Sequence, residues 1–536
     1  MHMFTRLANL LRWPFTEQFA FICLVTLLLS IPDFWFFIND GESPVLAIYL
    51  IFQSFVWAYL LAGFICLLKY RCLQRTFKIL IILLLSIEFL LESTSVFQHG
   101  ERFNSDFLYI LLGTNGTEIG EYIETFASPT HIGTFVFSVL VVIVGFWMTL
   151  KNKISLSVKI QNVLLGILII GLLVITFRYE ITGYNIYSKI IEYSDYKVPP
   201  DLHQYYKKPS LLYHKDSLPQ NVVVIFGESL TKYHCSLYGY KKNTNPLLSK
   251  LKNEGYLIVY NYVTSPGTST AQSFRYMMSS HKENDGKEWF DGIFIPEIVE
   301  MTGYKSHWIS NQAAIGVYDN VIRRYAELCT DYYFNGDLFT GDKRQNTYDG
   351  ELLNVVKHTI KKDHGKGRIF TFINLMGSHF KFNRRYPKEY NYFKADDYVE
   401  KKSTQRQTLA EYDNSVLYND YVVYELLRAY AEEEAVVLYF PDHGLDLFYT
   451  KDDYAAHALN TPNSQKYGKA IPFMIYTSPR FQSKFPNVVD RLKKSTDNDF
   501  CTGDLIYALM DIMGIRFKYN HDVESYSPFS LNKKMK

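Results

Sequence analysis

Four residues of the types that bind metal ions stand just behind short apolar runs in the C-terminal part of the chain: Glu228, His379, Asp442 and His443. The runs are "NVVVIF", "RIFTFINL" and "AVVLYF", each of the length of a buried strand. In an open α/β sheet, bound ligands lie beyond the carboxyl ends of the strands. Carboxylate oxygens with an imidazole nitrogen suit zinc or manganese, so these positions predict a metal site.

A hydroxyl-rich stretch, "GTSTAQS" (267–273), follows a further apolar run, "YLIVYNYV". Taken singly, each feature has a simpler interpretation. Glu228 could be a carboxylate at a helix start, "DHG" a turn, His379 a loop histidine, and "GTSTAQS" a glycine turn with a helix cap. The order along the chain favours a shared site, because carboxylate, hydroxyl, His and Asp-His are followed by His457 before another apolar run.

The elements that must position these residues are predicted between 219 and 536. The apolar runs, with "PFMIY" as a further one, alternate with helix-like stretches such as "NDYVVYELLRAYAEEE". This alternation is typical of an α/β domain with a mainly parallel sheet.

The first third of the chain is different, because it contains five apolar segments long enough to cross a bilayer. They are 19–38, 46–68, 77–97, 133–150 and 160–177. The first segment lacks a small-residue cleavage site and four more follow it, so we expect a span and not a signal peptide. The net charge of the chain is +2, which predicts no nucleic-acid partner.

Basic residues orient these spans. Arg6 and Arg12 precede the first span, and Lys and Arg residues occupy the loops after the second and fourth spans. Loop 39–43 has neither residue type, and loop 98–132 has only Arg102. The positive-inside rule therefore predicts a cytoplasmic N-terminus and an external C-terminal domain. The predicted organisation is a transmembrane domain at 1–177, a polar, Tyr-rich, membrane-proximal linker at 178–218, and a catalytic domain at 219–536.

Cysteine is sparse outside the predicted membrane domain, where only Cys235, Cys329 and Cys501 occur. An odd number leaves at least one thiol unpaired. The sequence does not decide whether any two of them form a disulfide.

The motifs together resemble a known family. "GESLTKYHCSLYGYKKNTNP" (227–246), "GTSTA", "MGSH" and "DHG" occur in that order. They resemble bacterial inner-membrane phosphoethanolamine transferases, most closely the branch that modifies lipopolysaccharide core. That family has five N-terminal transmembrane helices and a periplasmic α/β catalytic domain of the alkaline phosphatase and sulfatase superfamily. The resemblance implies the same fold class here.

The resemblance also implies roles for particular residues. The zinc ligands of the family correspond to Glu228, Thr270, Asp442 and His443, and its nucleophile to Thr270 in "GTSTA". Its substrate-binding residues correspond to His379, His457, Thr114 and Glu118. Two positions of the donor pocket depart from the family pattern, where Ile110 replaces an Asn and Gln312 stands near an expected Ser and Lys.

The implied reaction is a two-step transfer. Phosphatidylethanolamine donates phosphoethanolamine to a Thr270 activated by Zn²⁺, with Mn²⁺ as the alternative metal. A lipopolysaccharide core sugar or lipid A then accepts it, and the sequence also leaves Kdo and a periplasmic glucan open as acceptors. A monomer embedded in the inner membrane is expected. Alternatives are a phosphoglycerol transferase using phosphatidylglycerol, a phosphatase or sulfatase, and an inactive membrane scaffold. A sulfatase needs a Cys or Ser that is converted to formylglycine, and Thr270 cannot undergo that conversion.

Overall fold

The protein divides into two compact units, an N-terminal unit of helices and a second unit that contains the residues from 198 onward. The computed structural model describes residues 2–39, 44–99, 103, 129–151, 156–175, 199–282, 287–312, 321–335, 348–450, 455–456 and 462–530. Each unit has its own hydrophobic core.

The described part of the N-terminal unit consists of helices and short connections. Its helices are α1 (His2–Asn39), α2 (Pro44–Leu67), α3 (Arg71–His99), α4 (Pro129–Lys151) and α5 (Val158–Ile175). The first four contain stretches long and apolar enough to cross a membrane: Arg6–Phe36, Leu50–Leu67, Arg71–Val96 and Ile132–Thr149. The apolar stretch described in α5, Val158–Ile169, is shorter. Four predicted spans are thus supported by helices, and the count of five stays a prediction.

Helix α1 begins well before the predicted span at 19–38. It is bent at Gln18, where the backbone leaves helical geometry (φ −132°, ψ 22°), and Pro14 lies four residues earlier. Proline lacks the N–H of a helical hydrogen bond, so a helix bends in its vicinity. The residues before the bend pack into the unit, because Phe15 is fully buried and Tyr59 of α2 donates a hydrogen bond to the Leu11 carbonyl.

The second unit is an α/β domain. Its strands are β1 (Leu211–Leu212), β2 (Asn221–Phe226), β3 (Leu257–Tyr260), β4 (Val263–Thr264), β5 (Lys305–Ser310), β6 (Asp331–Phe334), β7 (Ile369–Asn374), β8 (Ala435–Phe440), β9 (Asp446–Leu447), β10 (Ala455–Ala456), β11 (Phe473–Thr477), β12 (Phe500–Cys501) and β13 (Arg516–Phe517). Its helices are α6 (Pro246–Asn253), α7 (Thr270–Met277), α8 (Ile295–Met301), α9 (Val321–Ala326), α10 (Leu352–Asp363), α11 (Ser403–Ala429), α12 (Pro462–Lys469), α13 (Pro479–Lys484), α14 (Pro486–Lys494), α15 (Leu505–Met513) and α16 (Asp522–Tyr526).

Seven strands form the central sheet, in the order β3-β11-β8-β2-β7-β5-β6. Strands β8, β2, β7, β5 and β6 are parallel, and β11 runs antiparallel to both of its neighbours. The predicted mainly parallel sheet is therefore present, with one reversed strand. Phe226 at the end of β2 pairs with Asn374 of β7 and Phe440 of β8, so the three strands end at one level.

Both faces of this sheet are covered, which explains the continuous apolar runs in the sequence. Val222, Val224 and Phe226 of β2 pack into the core on one face. Val223 and Ile225 pack into the core on the other face, against α11 and its neighbours. The polar residues at the strand ends are thereby held on a rigid, fully buried support.

One segment departs from the predicted organisation. Residues 199–218, assigned from their composition to a membrane-proximal linker, belong to the second unit. Leu211 of β1 pairs with Phe517 of β13, and Leu202 and Leu218 are buried in the core. The segment is polar on average, and its few apolar residues hold it against the domain.

Cys235, Cys329 and Cys501 have free thiols in this fold, and the first two are buried. We therefore expect alkylation in denaturant without reductant to label Cys235, Cys329 and Cys501 completely, and dithiothreitol to leave the melting temperature unchanged. A native disulfide is typically worth about 2–5 kcal/mol, so its reduction would be visible. Mass spectrometry reads out the labelling, and a cross-linked pair of cysteine peptides would contradict the prediction.

Candidate metal centre

The predicted metal ligands converge at the edge where the parallel strands end. Glu228 lies two residues beyond β2, and Asp442 and His443 follow the neighbouring β8. Each offers a ligand atom, and these atoms all lie within 4.8 Å of one another. All three side chains are buried.

Backbone hydrogen bonds join the two loops beyond the strands. The Gly227 N–H donates to the Phe440 carbonyl (2.9 Å), and the Leu230 N–H donates to the His443 carbonyl (3.1 Å). A Cβ at Gly227 would lie 2.8 Å from the Tyr439 ring, so only glycine fits there. Between these contacts Glu228 adopts a left-handed backbone with φ 55°. Such a conformation costs a non-glycine residue about 1–3 kcal/mol and persists where surrounding contacts enforce it.

The electrostatics of the cluster favour a cation. Burial, with the charge of Asp442 next, holds the pKa of Glu228 well above its usual range. Two carboxylates this close and this buried are costly when both are ionised. A divalent cation between them would offset both the repulsion and the loss of hydration.

His443 presents a lone pair to the same space. Its Nδ1 lies 2.9 Å from the Gly444 carbonyl, which can only accept, so Nδ1 donates. Nε2 then faces Glu228 Oε1 and Asp442 Oδ2, each 3.8 Å away. Burial lowers the pKa of His443 to about 4, which keeps the imidazole neutral. Two oxygens and one nitrogen fit a zinc ion with three protein ligands and an open position.

Thr270 is the fourth predicted ligand, and it also lies in the cluster. Its Oγ1 is 3.5 Å from Glu228 Oε1 and 3.5 Å from His443 Nε2. Thr270 is the first residue of α7, whose opening N–H groups have no partners within the helix. Such a helix start attracts anions, including phosphate. The preceding turn is held by Ser265, whose hydroxyl donates to the Gly267 carbonyl at 2.6 Å.

His379 lies at the rim of the cluster, with its side chain one-quarter exposed and Nε2 4.0 Å from Glu228 Oε1. Its loop is tied to a residue that sequence reasoning missed, Asp349. The Asp349 carboxylate accepts the N–H groups of Met376 (2.8 Å) and Gly377 (2.7 Å). At Gly377 φ is 49°, and a Cβ would lie 2.0 Å from the Gly227 carbonyl oxygen. The backbones of the His379 and Glu228 loops therefore meet at Gly377, where a side chain would not fit.

Helix α11 braces both loops and was also missed as a site element. The Tyr412 hydroxyl accepts the Thr231 N–H (3.0 Å), behind the Glu228 loop. Ser415 makes a 2.9 Å hydroxyl contact with Ser378, beside His379. The signal in the sequence was the spacing of Tyr412 and Ser415, which lie three residues apart and therefore on one face of a helix. It was overlooked because the predicted helical stretch started near 419, whereas the helix begins at Ser403.

Gln312 has a clear place in the site. Its Nε2 donates to Glu228 Oε2 at 2.5 Å and to the Leu375 carbonyl at 3.3 Å. The sequence analysis placed Gln312 in the donor pocket, whereas here it orients a predicted metal ligand. His457, Thr114, Glu118 and Ile110 lie outside the described residues.

The second unit matches a known protein family in sequence. The sequence pattern of the family described as Sulfatase matches residues 220–515. The chain belongs to the sulfatase family. Among curated proteins this sulfatase-family chain is similar to phosphoethanolamine transferase EptC of Escherichia coli K12, with 24% identity over 450 residues, 78% of this chain and 76% of that protein. The resemblance to phosphoethanolamine transferases seen in the motifs is confirmed.

Solved structures show the same fold. The integral membrane lipooligosaccharide phosphoethanolamine transferase A (EptA) of Neisseria meningitidis superposes with a TM-score of 0.68 at 20% identity, covering 92% of this chain and 95% of that one. The C-terminal periplasmic domain of EcEptC from Escherichia coli, in complex with Zn, gives a TM-score of 0.55 at 22% identity. It covers 63% of this chain and 92% of its own. The predicted pairing of apolar helices with a sulfatase-like α/β domain is thus supported.

We expect Gln312→Ala to weaken zinc binding by about 10–100-fold, because residues that orient metal ligands typically contribute that much to affinity. Competition with a chelator of known zinc affinity measures the dissociation constant. Gln407→Ala is the matched control, since among the described residues the Gln407 side chain bonds Glu411 alone, on an exposed helix face. An unchanged zinc affinity in Gln312→Ala would show that this hydrogen bond does not position Glu228.

Proposed function

We propose that this chain is a zinc-dependent phosphoethanolamine transferase of the bacterial inner membrane, with its catalytic domain in the periplasm. It would move phosphoethanolamine from phosphatidylethanolamine to a lipopolysaccharide acceptor, either a core sugar or lipid A. One observation carries the proposal: the Thr270 hydroxyl, at a helix start, lies 3.5 Å from two members of a buried metal-ligand cluster. The similarity to phosphoethanolamine transferases indicates phosphoethanolamine as the group that is transferred.

The metal would be held by Glu228, Asp442, His443 and the hydroxyl oxygen of Thr270. Zinc suits these donors, and manganese is the alternative. When bound, the ion lowers the pKa of a coordinated hydroxyl and neutralises charge that develops on the phosphoryl oxygens.

Exposure within the motif favours Thr270 as the nucleophile. Four hydroxyls occur in "GTSTAQS", and Thr268, Ser269 and Ser273 are buried. Thr270 is partly exposed, so a phosphodiester can reach its oxygen from solvent. A nucleophile must touch both the metal and the substrate, and only this hydroxyl of the four combines the two properties.

The first half-reaction forms one bond and breaks one. The Thr270 hydroxyl loses its proton to solvent and its Oγ attacks phosphorus. The bond from phosphorus to the glycerol oxygen breaks, and phosphoethanolamine stays on Thr270 while diacylglycerol leaves. His379, at the rim of the cluster, would give the departing oxygen its proton, with His457 as the second candidate. In the second half-reaction an acceptor oxygen displaces Thr270, which recovers its hydroxyl.

The helices of the N-terminal unit suit an enzyme whose substrates are lipids. Donor and acceptor are both membrane lipids, and four described helices are long and apolar enough to anchor the catalytic domain beside them. Thr114 and Glu118 would contact the donor, with the Glu118 carboxylate facing its ammonium group. We propose that the enzyme acts as a monomer.

The covalent step gives the sharpest test of this function. Incubation of the purified full-length protein with phosphatidylethanolamine and no acceptor should leave phosphoethanolamine on Thr270, located by fragmentation of the peptide that contains 267–273. Thr270→Ala should carry none. Ser269→Ala should be modified as the wild type is, since the Ser269 side chain is buried.

Two outcomes would contradict this assignment. Modification of Thr268 or Ser269 in the wild type would move the nucleophile. A glycerophosphate adduct formed from phosphatidylglycerol, with none from phosphatidylethanolamine, would make the protein a phosphoglycerol transferase.

A further inference from the structure

Three tyrosines and two lysines form a partly exposed cluster that the proposed chemistry does not use. The rings of Tyr449 and Tyr467 are stacked, with centroids 4.5 Å apart and planes inclined by 10°. The centroid of Tyr233 lies 5.7 Å from Tyr449 and 5.4 Å from Tyr467. Lys232 and Lys466 place their ammonium groups 5.8 Å and 5.6 Å from the rings of Tyr233 and Tyr467. We call these five residues the tyrosine platform.

The platform is unlike the tyrosines of the core. Buried tyrosines such as Tyr412 and Tyr439 use their hydroxyls in hydrogen bonds within the fold. The hydroxyls of Tyr233, Tyr449 and Tyr467 make no hydrogen bond to any described part of the chain, and Tyr449 is 36% exposed. The three hydroxyls and the exposed parts of the rings are thus available to a ligand.

The platform is built on the same loops as the metal centre. Tyr233 follows Glu228 by five residues, and Tyr449 follows His443 by six. Tyr467 precedes Gly468, whose carbonyl accepts the Gly444 N–H at 2.6 Å. Since an extended residue spans at most about 3.6 Å, the Cα atoms of Tyr233 and Tyr449 lie within roughly 22 Å of those of Glu228 and His443. A glycan of a few sugar rings covers that distance.

The chemistry of the platform matches a negatively charged sugar chain. Flat aromatic faces pack against the C–H faces of pyranose rings, and tyrosine hydroxyls exchange hydrogen bonds with sugar hydroxyls. The ammonium groups of Lys232 and Lys466 would pair with phosphate or carboxylate groups. A lipid chain would use the rings but leave the lysines without a role.

We propose that the tyrosine platform binds the acceptor, an oligosaccharide carrying phosphate or carboxylate groups, and holds it for attack on the group carried by Thr270. The proposal rests on the proposed function, whose acceptor it narrows to the sugar part of lipopolysaccharide. It assigns Tyr233, Tyr449 and Tyr467 to sugar rings and the two lysines to anionic substituents.

Equilibrium binding separates this proposal from turnover. The full-length Thr270→Ala protein, in detergent, is titrated with deacylated lipopolysaccharide core oligosaccharide, either phosphorylated or enzymatically dephosphorylated. Added Tyr449→Ala or Tyr467→Ala should raise the dissociation constant about tenfold, as truncation of an aromatic anchor commonly does. Tyr449→Phe, which keeps the ring, should lose much less affinity.

Charge reversal tests the lysines. Lys466 is exposed at the end of α12, so Lys466→Glu leaves the core untouched. It should weaken binding of the phosphorylated oligosaccharide more than that of the dephosphorylated one. A lysine–tyrosine pair outside the platform provides controls. Lys518 lies 5.3 Å from the ring of Tyr519, which is 79% exposed. Tyr519→Ala and Lys518→Glu should leave both dissociation constants unchanged.

The outcomes are distinct. Unchanged affinity in Tyr449→Ala, Tyr467→Ala and Lys466→Glu would overturn the platform, whatever the Thr270 adduct shows. If Tyr449→Ala also lowers the melting temperature, the dissociation constants of Lys466→Glu and Tyr449→Phe decide whether the platform binds the oligosaccharide. Binding that depends on the platform, in a protein whose wild type never forms the adduct, would overturn the transfer reaction and support the platform.

Discussion

Two buried carboxylates in one small space, Glu228 and Asp442, are the constraint around which the catalytic domain is arranged. With His443 they place ligand atoms within 4.8 Å of one another. Burial alone would drive such groups toward protonation, and each raises the cost of ionising the other. In the proposed function a cation would relieve this conflict, and it would lie beside the Thr270 hydroxyl that it activates. The two carboxylates that destabilise the metal-free fold are thus the same groups that would hold the cation for the reaction.

The rest of the domain keeps these groups in place. Parallel β2 and β8 end at one level, and backbone hydrogen bonds continue the pairing through the Gly227 and Leu230 N–H groups. Asp349 and α11 fix the neighbouring His379 loop. Glycine is required at 227 and 377, where a side chain would enter occupied space. The left-handed backbone of Glu228 is a local cost that these contacts sustain.

Much of this could be predicted from the sequence. Fully buried strands appear as apolar runs, so β2, β7 and β8 and the candidate ligands that follow them could be predicted by pattern. Asp349 and Gln312 were not assigned their roles, because their partners are 27 and 84 residues away along the chain and no local periodicity marks such contacts. The segment 199–218 was misassigned because three apolar residues hold it to the domain despite a polar composition. Whether α5 crosses the membrane, and how His457, Thr114 and Glu118 contribute, stay predictions.

The most direct test of this account compares the stability of wild type and Glu228→Gln with and without zinc. Gln keeps the shape and can still accept the Gln312 hydrogen bond, but it removes one of the two charges. The account predicts that metal-free Glu228→Gln melts at a higher temperature than metal-free wild type near neutral pH. In saturating zinc the order should reverse, because ligand binding stabilises the wild type more. A variant that is less stable than the wild type by the same amount in both conditions would contradict the claim that the paired carboxylates exist to hold a cation.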